Sequence, residues 1–304
     1  MFTRLVLRCR KRLAAAGMAP AAGMPAVLPF RDEDATIRPA RLIEDAELRA
    51  HPVPAAAPFD APVAFLDGTQ RTELLGYFGS APLALAEARA AVRERVDGLF
   101  TTVVRERQVY LVGRRAALAE FGGEPDGVEA LELPEGPLHP LRDLAEIRRA
   151  VDRVRGNLEL AAADAFRRQR GGWLILDGSL SGSPTLAEDP RAIGIVKSHS
   201  TLPFDGADLE RYLRLPPAHR TSVFEPTPGF RPVLAWALRL WPWEGRDLFH
   251  GLVRVEVAAV NGSPERADDI SRALLAERLP VSGGPQWDRL LYGTHTVQQF
   301  LRAE

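Results

Sequence analysis

Two short apolar runs in this chain end in the same pattern, an aspartate followed by a glycine and a hydroxyl residue. Residues 63–66 lead into Asp67 of an Asp-Gly-Thr sequence, and residues 173–176 lead into Asp177 of an Asp-Gly-Ser sequence. A short apolar run that stops at a turn signal is typical of a buried strand. We therefore predict two core strands, each with an aspartate at its C-terminal end, facing a cleft. The alternative is that both aspartates only mark the turn after a strand.

A long helix is predicted between these strands. Residues 141–170 contain no proline, and their apolar side chains recur at intervals of three and four, which is the spacing of one helical face. Glu159 falls on or beside that face, one turn after Arg155. A carboxylate in this position is costly unless it is paired or binds a cation.

The remaining patterns predict a mixed-sheet α/β domain, because early strands are followed by alternating strands and helices. Strands are predicted at residues 73–80, 99–104, 108–112, 192–196, 232–240 and 248–257, and helices at residues 83–96, 205–214, 264–278 and 286–303. Prolines and alanines interrupt residues 1–60, which we predict to be a partly irregular N-terminal extension before a domain at residues 61–304. The basic segment at residues 4–12 is expected to be a solvated helix or an arm for a partner.

Composition narrows the function only slightly. The 304 residues carry a formal net charge of −1, so nucleic acid would have to be attracted by local basic patches. The lone Cys9 excludes an internal disulfide framework and a cysteine-based zinc site, and it favours a cytoplasmic location. No apolar run approaches the roughly 18 residues of a membrane span, so no membrane association is expected. Lys11 and Lys197 are the two lysines among 39 basic residues, which indicates a need for a compact ammonium at Lys197, with chance as the alternative.

Three carboxylates are candidate metal ligands. Glu159 lies 18 residues before Asp177, enough to complete the helix, turn and run back along a strand toward Asp67. Hard cations such as Mg²⁺ and Mn²⁺ prefer oxygen ligands, and carboxylate-held metals can activate water in phosphodiester hydrolysis.

The common phosphotransferase and hydrolase signatures are absent from the sequence. In haloacid-dehalogenase-like enzymes a nucleophilic aspartate lies two residues before the aspartate that precedes glycine, and here that position is Phe65. A phenylalanine cannot attack phosphorus. The chain also lacks a P-loop, a Gly-x-Ser-x-Gly elbow and a His-x-x-x-His metal pair.

The sequence resembles the NurA nucleases, which act with HerA-type translocases in DNA end processing. The resemblance rests on Asp-Gly-Thr at residues 67–69, Asn-Leu-Glu-Leu-Ala at 157–161, Leu-Asp-Gly-Ser-Leu at 176–180, Ile-Gly-Ile-Val-Lys-Ser at 193–198, and Val-Arg-Val-Glu at 253–256 followed by a helix with Asp269. These motifs occur in the family's order from about residue 60 to the C-terminus. The resemblance implies an RNase H-like fold, Mn²⁺-dependent DNA nuclease activity, a homodimer, and docking to a hexameric HerA-like ATPase.

Carried over by position, the resemblance makes Asp67, Glu159 and Asp177 the metal-binding carboxylates, with Mn²⁺ or Mg²⁺ as the ion. Lys197 would face phosphate as a point cation, or lie in solvent as an ordinary lysine at a strand end. Arg254 and Glu256 share one strand face and would pair near the site or form an exposed salt bridge.

The C-terminal segment departs from the family pattern. The family has a Tyr-Pro sequence and, later on the final helix, a histidine that serves the active site. Tyr292 fits, but Gly293 replaces the proline, and the histidine position falls nearer to Gln299 or Phe300. His295 is expected to substitute, with a vacant role as the alternative. Two other functions remain open: an inactive NurA-like DNA-binding or assembly subunit of a translocase, and a nuclease for RNA or for foreign DNA in a defence system.

Overall fold

The structure is a computed structural model and describes residues 2–16, 36–227, 231, 233–280 and 287–303. Pro232 and Gln286, at which a predicted strand and a predicted helix begin, lie outside these residues. The helices are α1 (Phe2–Ala15), α2 (Arg115–Phe121), α3 (Pro140–Gln169), α4 (Pro184–Glu188), α5 (Gly206–Leu213), α6 (Pro264–Glu277) and α7 (Tyr292–Arg302). The strands are β1 (Thr36–Ile37), β2 (Arg41–Leu42), β3 (Ala50–Pro52), β4 (Val63–Phe78), β5 (Ala81–Val96), β6 (Leu99–Gly113), β7 (Glu129–Glu132), β8 (Trp173–Asp177), β9 (Ala192–Val196), β10 (Thr201–Leu202), β11 (His219–Thr221), β12 (Phe224–Glu225), β13 (Val233–Arg239) and β14 (Leu252–Ala258).

A large mixed sheet organises the molecule, and β1 and β10 form a separate two-stranded sheet. Within the described ranges, twelve strands join in the order β2-β12-β13-β14-β9-β8-β4-β5-β6-β7, with β11 and β3 attached beside β13. The central strands β4, β8 and β9 run parallel, whereas β5 and β6 on one side and β14 and β13 on the other are antiparallel. The predicted mixed-sheet α/β architecture is confirmed.

Helices cover both faces of the central strands. Leu158 of α3 lies in one buried cluster with Leu66 of β4, and Val297 of α7 lies in a cluster on the other face with Phe65. Successive strand residues point to opposite faces, so a strand covered on both sides needs an unbroken apolar run. This requirement explains the apolar run at residues 63–66, and α3 confirms the predicted long helix.

The prediction of a helix at residues 83–96 is wrong. These residues belong to β5, which pairs along almost its whole length with β4 on one side and β6 on the other. Alanines favour helix locally, but two neighbouring strands and burial of both faces override that preference. The predicted strand at residues 73–80 is likewise not separate, because β4 runs on through it without a turn. The two strands predicted at residues 99–112 are one strand, β6.

The N-terminal residues contribute ordered elements. The buried face of α1, which includes Leu5, Cys9 and Leu13, packs in one cluster with Leu75 and Leu83. The expected solvated helix or free arm is therefore corrected to a docked helix with an exposed basic face. β2 and β3 also join the main sheet. The division at residue 60 stays a prediction. None of the helices in the described ranges has the length and apolar composition that a bilayer crossing requires.

Candidate metal centre

Asp67 and Asp177 lie side by side on parallel strands. β4 and β8 are paired from Val63 opposite Trp173 to Leu66 opposite Leu176, so the two aspartates follow at the same level. By strand alternation both point to the face covered by α7. β8 ends at Asp177 as predicted, but β4 continues to Phe78. The expectation that a strand ends at Asp67 is wrong, and Asp67 is not a turn residue.

The carboxylate of Asp67 is buried and only partly satisfied. The side chain is 5% exposed, and its Oδ1 accepts a hydrogen bond from the Gly68 N–H at 2.8 Å. Among the described residues, its Oδ2 has no hydrogen-bond partner. Burial raises the pKa of Asp67 to about 6, the charge of Asp177 adds to the rise, and Lys197 opposes it. A buried carboxylate oxygen without a donor indicates a position that a cation would satisfy.

Glu159 reaches the same place from the opposite face of the sheet. It projects from α3 against the backbone of Gly68, where a methyl group would lie 2.3 Å from Glu159 Oε1. Burial raises the pKa of Glu159 to about 7; the adjacent Arg155 opposes this rise, and the charges of Asp67 and Asp177 add to it. Asp67 and Asp177 are therefore close enough to Glu159 for their charges to raise its pKa.

Two of these carboxylates are each paired with a cation. Lys197 follows β9 and its Nζ lies 2.6 Å from Asp177 Oδ2, so it is not a solvent lysine. Arg155 Nη1 donates to Glu159 Oε1 one helical turn away. As positioned, the three carboxylates are not among the groups whose ligand atoms all lie within 4.8 Å of one another. With all-oxygen donors and an unsatisfied Asp67 Oδ2, the residues fit a hard divalent cation.

A different trio in the described ranges does meet the 4.8 Å spacing, namely Glu44, Asp45 and His51. The buried Arg220 already occupies Glu44, with contacts of 2.7 and 3.0 Å to its two oxygens. His51 Nε2 lies 2.8 Å from Asp45 Oδ2. A guanidinium bound through both Glu44 oxygens disfavours a divalent cation there by charge repulsion.

Glu256 fixes the turn that follows Asp177. Its Oε2 accepts hydrogen bonds from Ser179 Oγ at 2.6 Å and from the Leu180 N–H at 3.0 Å. Its Oε1 is paired with Arg254 at 2.8 Å. Glu256 is 1% exposed, so this pair is not an ordinary exposed salt bridge. The Arg254–Glu256 pair therefore positions the loop that follows Asp177.

The last helix presents Gln298, which sequence reasoning missed, to Asp67. The amide of Gln298 lowers the pKa of Asp67, although it lies outside hydrogen-bonding geometry to the unsatisfied Oδ2. His295, one turn earlier, packs its ring against Trp287 with the centroids 4.7 Å apart. The signal was present in the sequence, because Gln298 adjoins Gln299, where the family pattern led us to look for a histidine.

Of two other predicted residues, Asp269 lies away from the carboxylates and Tyr292 lies near Phe65 on the face covered by α7. Asp269 is on α6, pairs with Arg272 at 3.7 Å, and borders a cavity at Trp173, the opposite end of β8 from Asp177. Tyr292 is half exposed and its ring contacts Phe100. In the described residues, no hydrogen bond or ion pair joins either side chain to Asp67, Glu159 or Asp177, and a supporting role for either stays a prediction.

Two clefts flank the carboxylates. One, of about 630 Å³, contains Gly68 and Thr69 and is lined by Arg71, Arg89 and Arg155; we call it the arginine cleft. The second, of about 600 Å³, begins at Asp177 on the other side.

Comparisons with known proteins place this architecture. No protein-family model matches the sequence, and no curated protein matches it significantly. The crystal structure of the NurA nuclease from Sulfolobus solfataricus aligns with a TM-score of 0.51 and 10% identity, over 81% of this chain and 80% of that chain. The fold is NurA-like. This result confirms the family resemblance at the level of fold, including the expected RNase H-like sheet.

The catalytic domain of human endonuclease V also aligns, over 99% of this chain and 95% of that chain, with 13% identity. Its TM-score of 0.35 is too low to support a conclusion about the fold of this chain. Because sequence identity is low in both cases, the function of this chain rests on its own residues.

Proposed function

We propose that this protein is a metal-dependent nuclease that hydrolyses phosphodiester bonds in DNA, with Asp67, Glu159 and Asp177 as the metal-binding residues. One observation carries the proposal. Two aspartates lie level on parallel strands, and a glutamate from the opposite face lies against the backbone of Gly68, next to Asp67. A purely structural role would not explain why the buried Asp67 Oδ2 lacks a partner.

Each of the chain's own residues has a distinct role in the proposed reaction. Mn²⁺ or Mg²⁺, when bound, would supply an activated water and neutralise charge on the cleaved phosphate. Asp67 and Asp177 would hold the ion, and Glu159 would complete the set from α3. Lys197 is placed to move from Asp177 to a phosphate oxygen as a point charge. Glu256 keeps the loop after Asp177 in place through Ser179 and Leu180.

The substrate proposal rests on local charge. The net charge of −1 provides no general attraction for DNA, but the lining of the cleft beside Gly68 has an excess of arginines, with Arg71, Arg89, Arg155 and Arg302 against Glu87 and Asp152. Arginines that contact phosphates make binding strongly salt-dependent. From the NurA-like fold we further propose a homodimer, a cytoplasmic location and a HerA-type hexameric translocase as partner. Co-purification with such a translocase and the mass of the free protein in solution test these two assemblies.

Cleavage assays test the catalytic assignment. Labelled single- and double-stranded DNA should be cut with Mn²⁺ present, and Asp67→Asn or Asp177→Asn should reduce the rate by at least about 1,000-fold. Asp269→Asn is the matched control, because Asp269 is an exposed aspartate away from the centre, and it should retain the wild-type rate. Circular dichroism establishes that each variant is folded. Full activity in Asp67→Asn or Asp177→Asn would contradict the assignment.

The position of His295 supports a second candidate function, an inactive assembly or DNA-binding subunit. Its ring packs on Trp287, while the residue of α7 that acts on Asp67 is Gln298, whose amide cannot transfer protons at neutral pH. Calorimetric titration with Mn²⁺ separates the two candidates. Binding that is lost in Asp67→Asn supports the nuclease, and DNA binding without any such Mn²⁺ binding supports the inactive subunit.

A further inference from the structure

The cleft that begins at Asp177 has a different lining from the arginine cleft. It is bordered by Asp177, Lys197, His199, Asp247, Phe249 and Arg289, and we call it the aromatic cleft. Its volume of about 600 Å³ is in the range of small-ligand sites. Because Asp177 and Lys197 belong both to this cleft and to the proposed metal centre, a group held here would adjoin the reacting phosphate.

Two stacked rings, those of His199 and Phe249, form the aromatic surface of this cleft. The rings of His199 and Phe249 are stacked, with their centroids 4.9 Å apart and an angle of 23° between their planes. Phe249 donates its N–H to Asp247 Oδ1 at 2.9 Å and accepts at its carbonyl from the Leu252 N–H. His199 Nε2 is 3.1 Å from the Leu252 carbonyl. The backbone of Phe249 and the ring of His199 are therefore both bonded to Leu252, the first residue of β14.

The charges in the cleft come from residues other than His199. Burial lowers the pKa of His199 to about 4, and nearby arginines including Arg289 contribute to the lowering, so its ring is neutral near pH 7. Lys197 and Arg289 supply the positive charge, and Arg289 Nη1 donates to the Lys197 carbonyl at 2.8 Å. Within the described residues, Arg289 Nε is buried, lies 3.6 Å from Asp288 Oδ2 and has no hydrogen-bond partner. Asp177 and Asp247 add negative charge to the same lining. A flat neutral surface beside two cations suits a base attached to a phosphate.

We propose that the aromatic cleft holds the nucleoside next to the cleaved phosphodiester, with its base stacked on Phe249 and its phosphate against Lys197 and Arg289. His199 covers one face of the Phe249 ring, which leaves the other face or its edge for the base. Stacking of this kind accepts any base, because every base has a π face. The inference deepens the nuclease function proposed above and rests on it.

Binding measurements test the stacking site without catalysis. The probe is 5′-fluorescein-labelled decathymidylate, titrated by anisotropy in EDTA against the Asp67→Asn protein, which does not cleave. Adding Phe249→Ala should weaken binding about ten-fold, the typical cost of one lost aromatic–base stack, whereas Phe249→Trp should retain it. Leu248→Ala is the matched control, since Leu248 is an exposed neighbour in the same turn and should bind like the parent.

A scan of single abasic positions along the same probe separates stacking from a general loss of shape. At one position, removal of the base should weaken binding to the parent about ten-fold and have little further effect in Phe249→Ala, since both changes remove the same contact. Equal affinities of the parent, Phe249→Ala and Phe249→Trp, or additive losses at every position, would overturn the stacking site.

Failure of this inference is distinguishable from failure of the proposed function. DNA cleavage that requires Asp67, together with no effect of Phe249, would remove the stacking site and leave the nuclease. A Phe249-dependent base contact in a wild-type protein that never cleaves DNA would support the stacking site and remove the nuclease.

Discussion

Glu159 lies so close to Gly68 that a side chain at position 68 would collide with it: a methyl group there would lie 2.3 Å from Glu159 Oε1 and 3.0 Å from Glu159 Cδ. The glycine in the first Asp-Gly pair therefore lets the Glu159 side chain approach the backbone of β4 closely. Without a side chain at this position, a carboxylate on α3 reaches across the sheet toward Asp67.

Substitution of Gly68 by alanine should displace Glu159 and lower Mn²⁺-dependent cleavage roughly 100-fold, the order of loss that a small misplacement of a catalytic group produces. The free energy of unfolding should change little, because the atoms that a methyl group would meet belong to the end of the flexible Glu159 side chain, which can move aside. Gly156→Ala on α3 is the control, because a side chain there meets no atom within 4 Å. It should leave activity unchanged and raise stability by about 0.5–1 kcal/mol. Equal activity of Gly68→Ala and Gly156→Ala would contradict the account.

The metal-free protein should lose stability as the pH rises. The folded-state pKa values of Asp67 and Glu159, about 6 and about 7, exceed the unfolded values near 4. Between about pH 4 and 7 these two carboxylates thus bind more protons in the folded protein than in the unfolded chain, which lowers the free energy of unfolding across that window. His199, whose pKa burial lowers to about 4, opposes part of this fall below about pH 6.5. Urea unfolding in EDTA at pH 5 and pH 8 measures the fall. The Asp67→Asn/Glu159→Gln variant should flatten the curve, and an unchanged slope there would rule out these two groups as its source.

With Mn²⁺ the pH dependence should have the opposite sign. The ion binds the deprotonated carboxylates, so its affinity should rise from pH 5.5 to pH 7.5 and binding should release protons. Calorimetry in buffers of different ionisation enthalpy counts those protons. Proton-neutral binding over this range would show that the ion binds elsewhere.

Gln298, and not His295, should matter on α7. Gln298→Ala removes an amide that favours the charged form of Asp67, and we expect a loss in Mn²⁺ affinity of roughly 10- to 100-fold, the usual cost of removing a group behind a metal ligand. His295→Ala should change affinity and rate by less than about three-fold, since its ring contact is with Trp287. The reverse ranking of these two variants would restore His295 as the active-site residue.

Glu256 should act on catalysis through the loop after Asp177. Glu256→Gln leaves Arg254 without its charged partner, and we expect a loss of about 1–3 kcal/mol in the free energy of unfolding. Activity should fall at saturating DNA, in kcat more than in KM, because Glu256 is buried and acts through the loop. A change confined to KM would instead indicate that Glu256 touches the DNA.

Local sequence patterns predict part of this site but none of its closest contacts. The apolar runs before Asp67 and Asp177 and the spacing of Glu159 predict the strands and the helix, since each depends on periodicity alone. The alanine-rich β5 reads as a helix, because its pairing with β4 and β6 is non-local. The role of Gly68 depends on how closely α3 approaches the sheet, and that of Gln298 on the rotation of α7 against β4. Packing distances of this kind are not encoded in any short segment.

The most direct test of the metal centre is an anomalous difference map from crystals grown with Mn²⁺. The account predicts a Mn²⁺ peak about 2.0–2.5 Å from carboxylate oxygens of Asp67 and Asp177, with the Lys197 Nζ moved away from Asp177. A peak at Glu44, Asp45 and His51 alone, or no peak in a protein that still cleaves DNA, would contradict it.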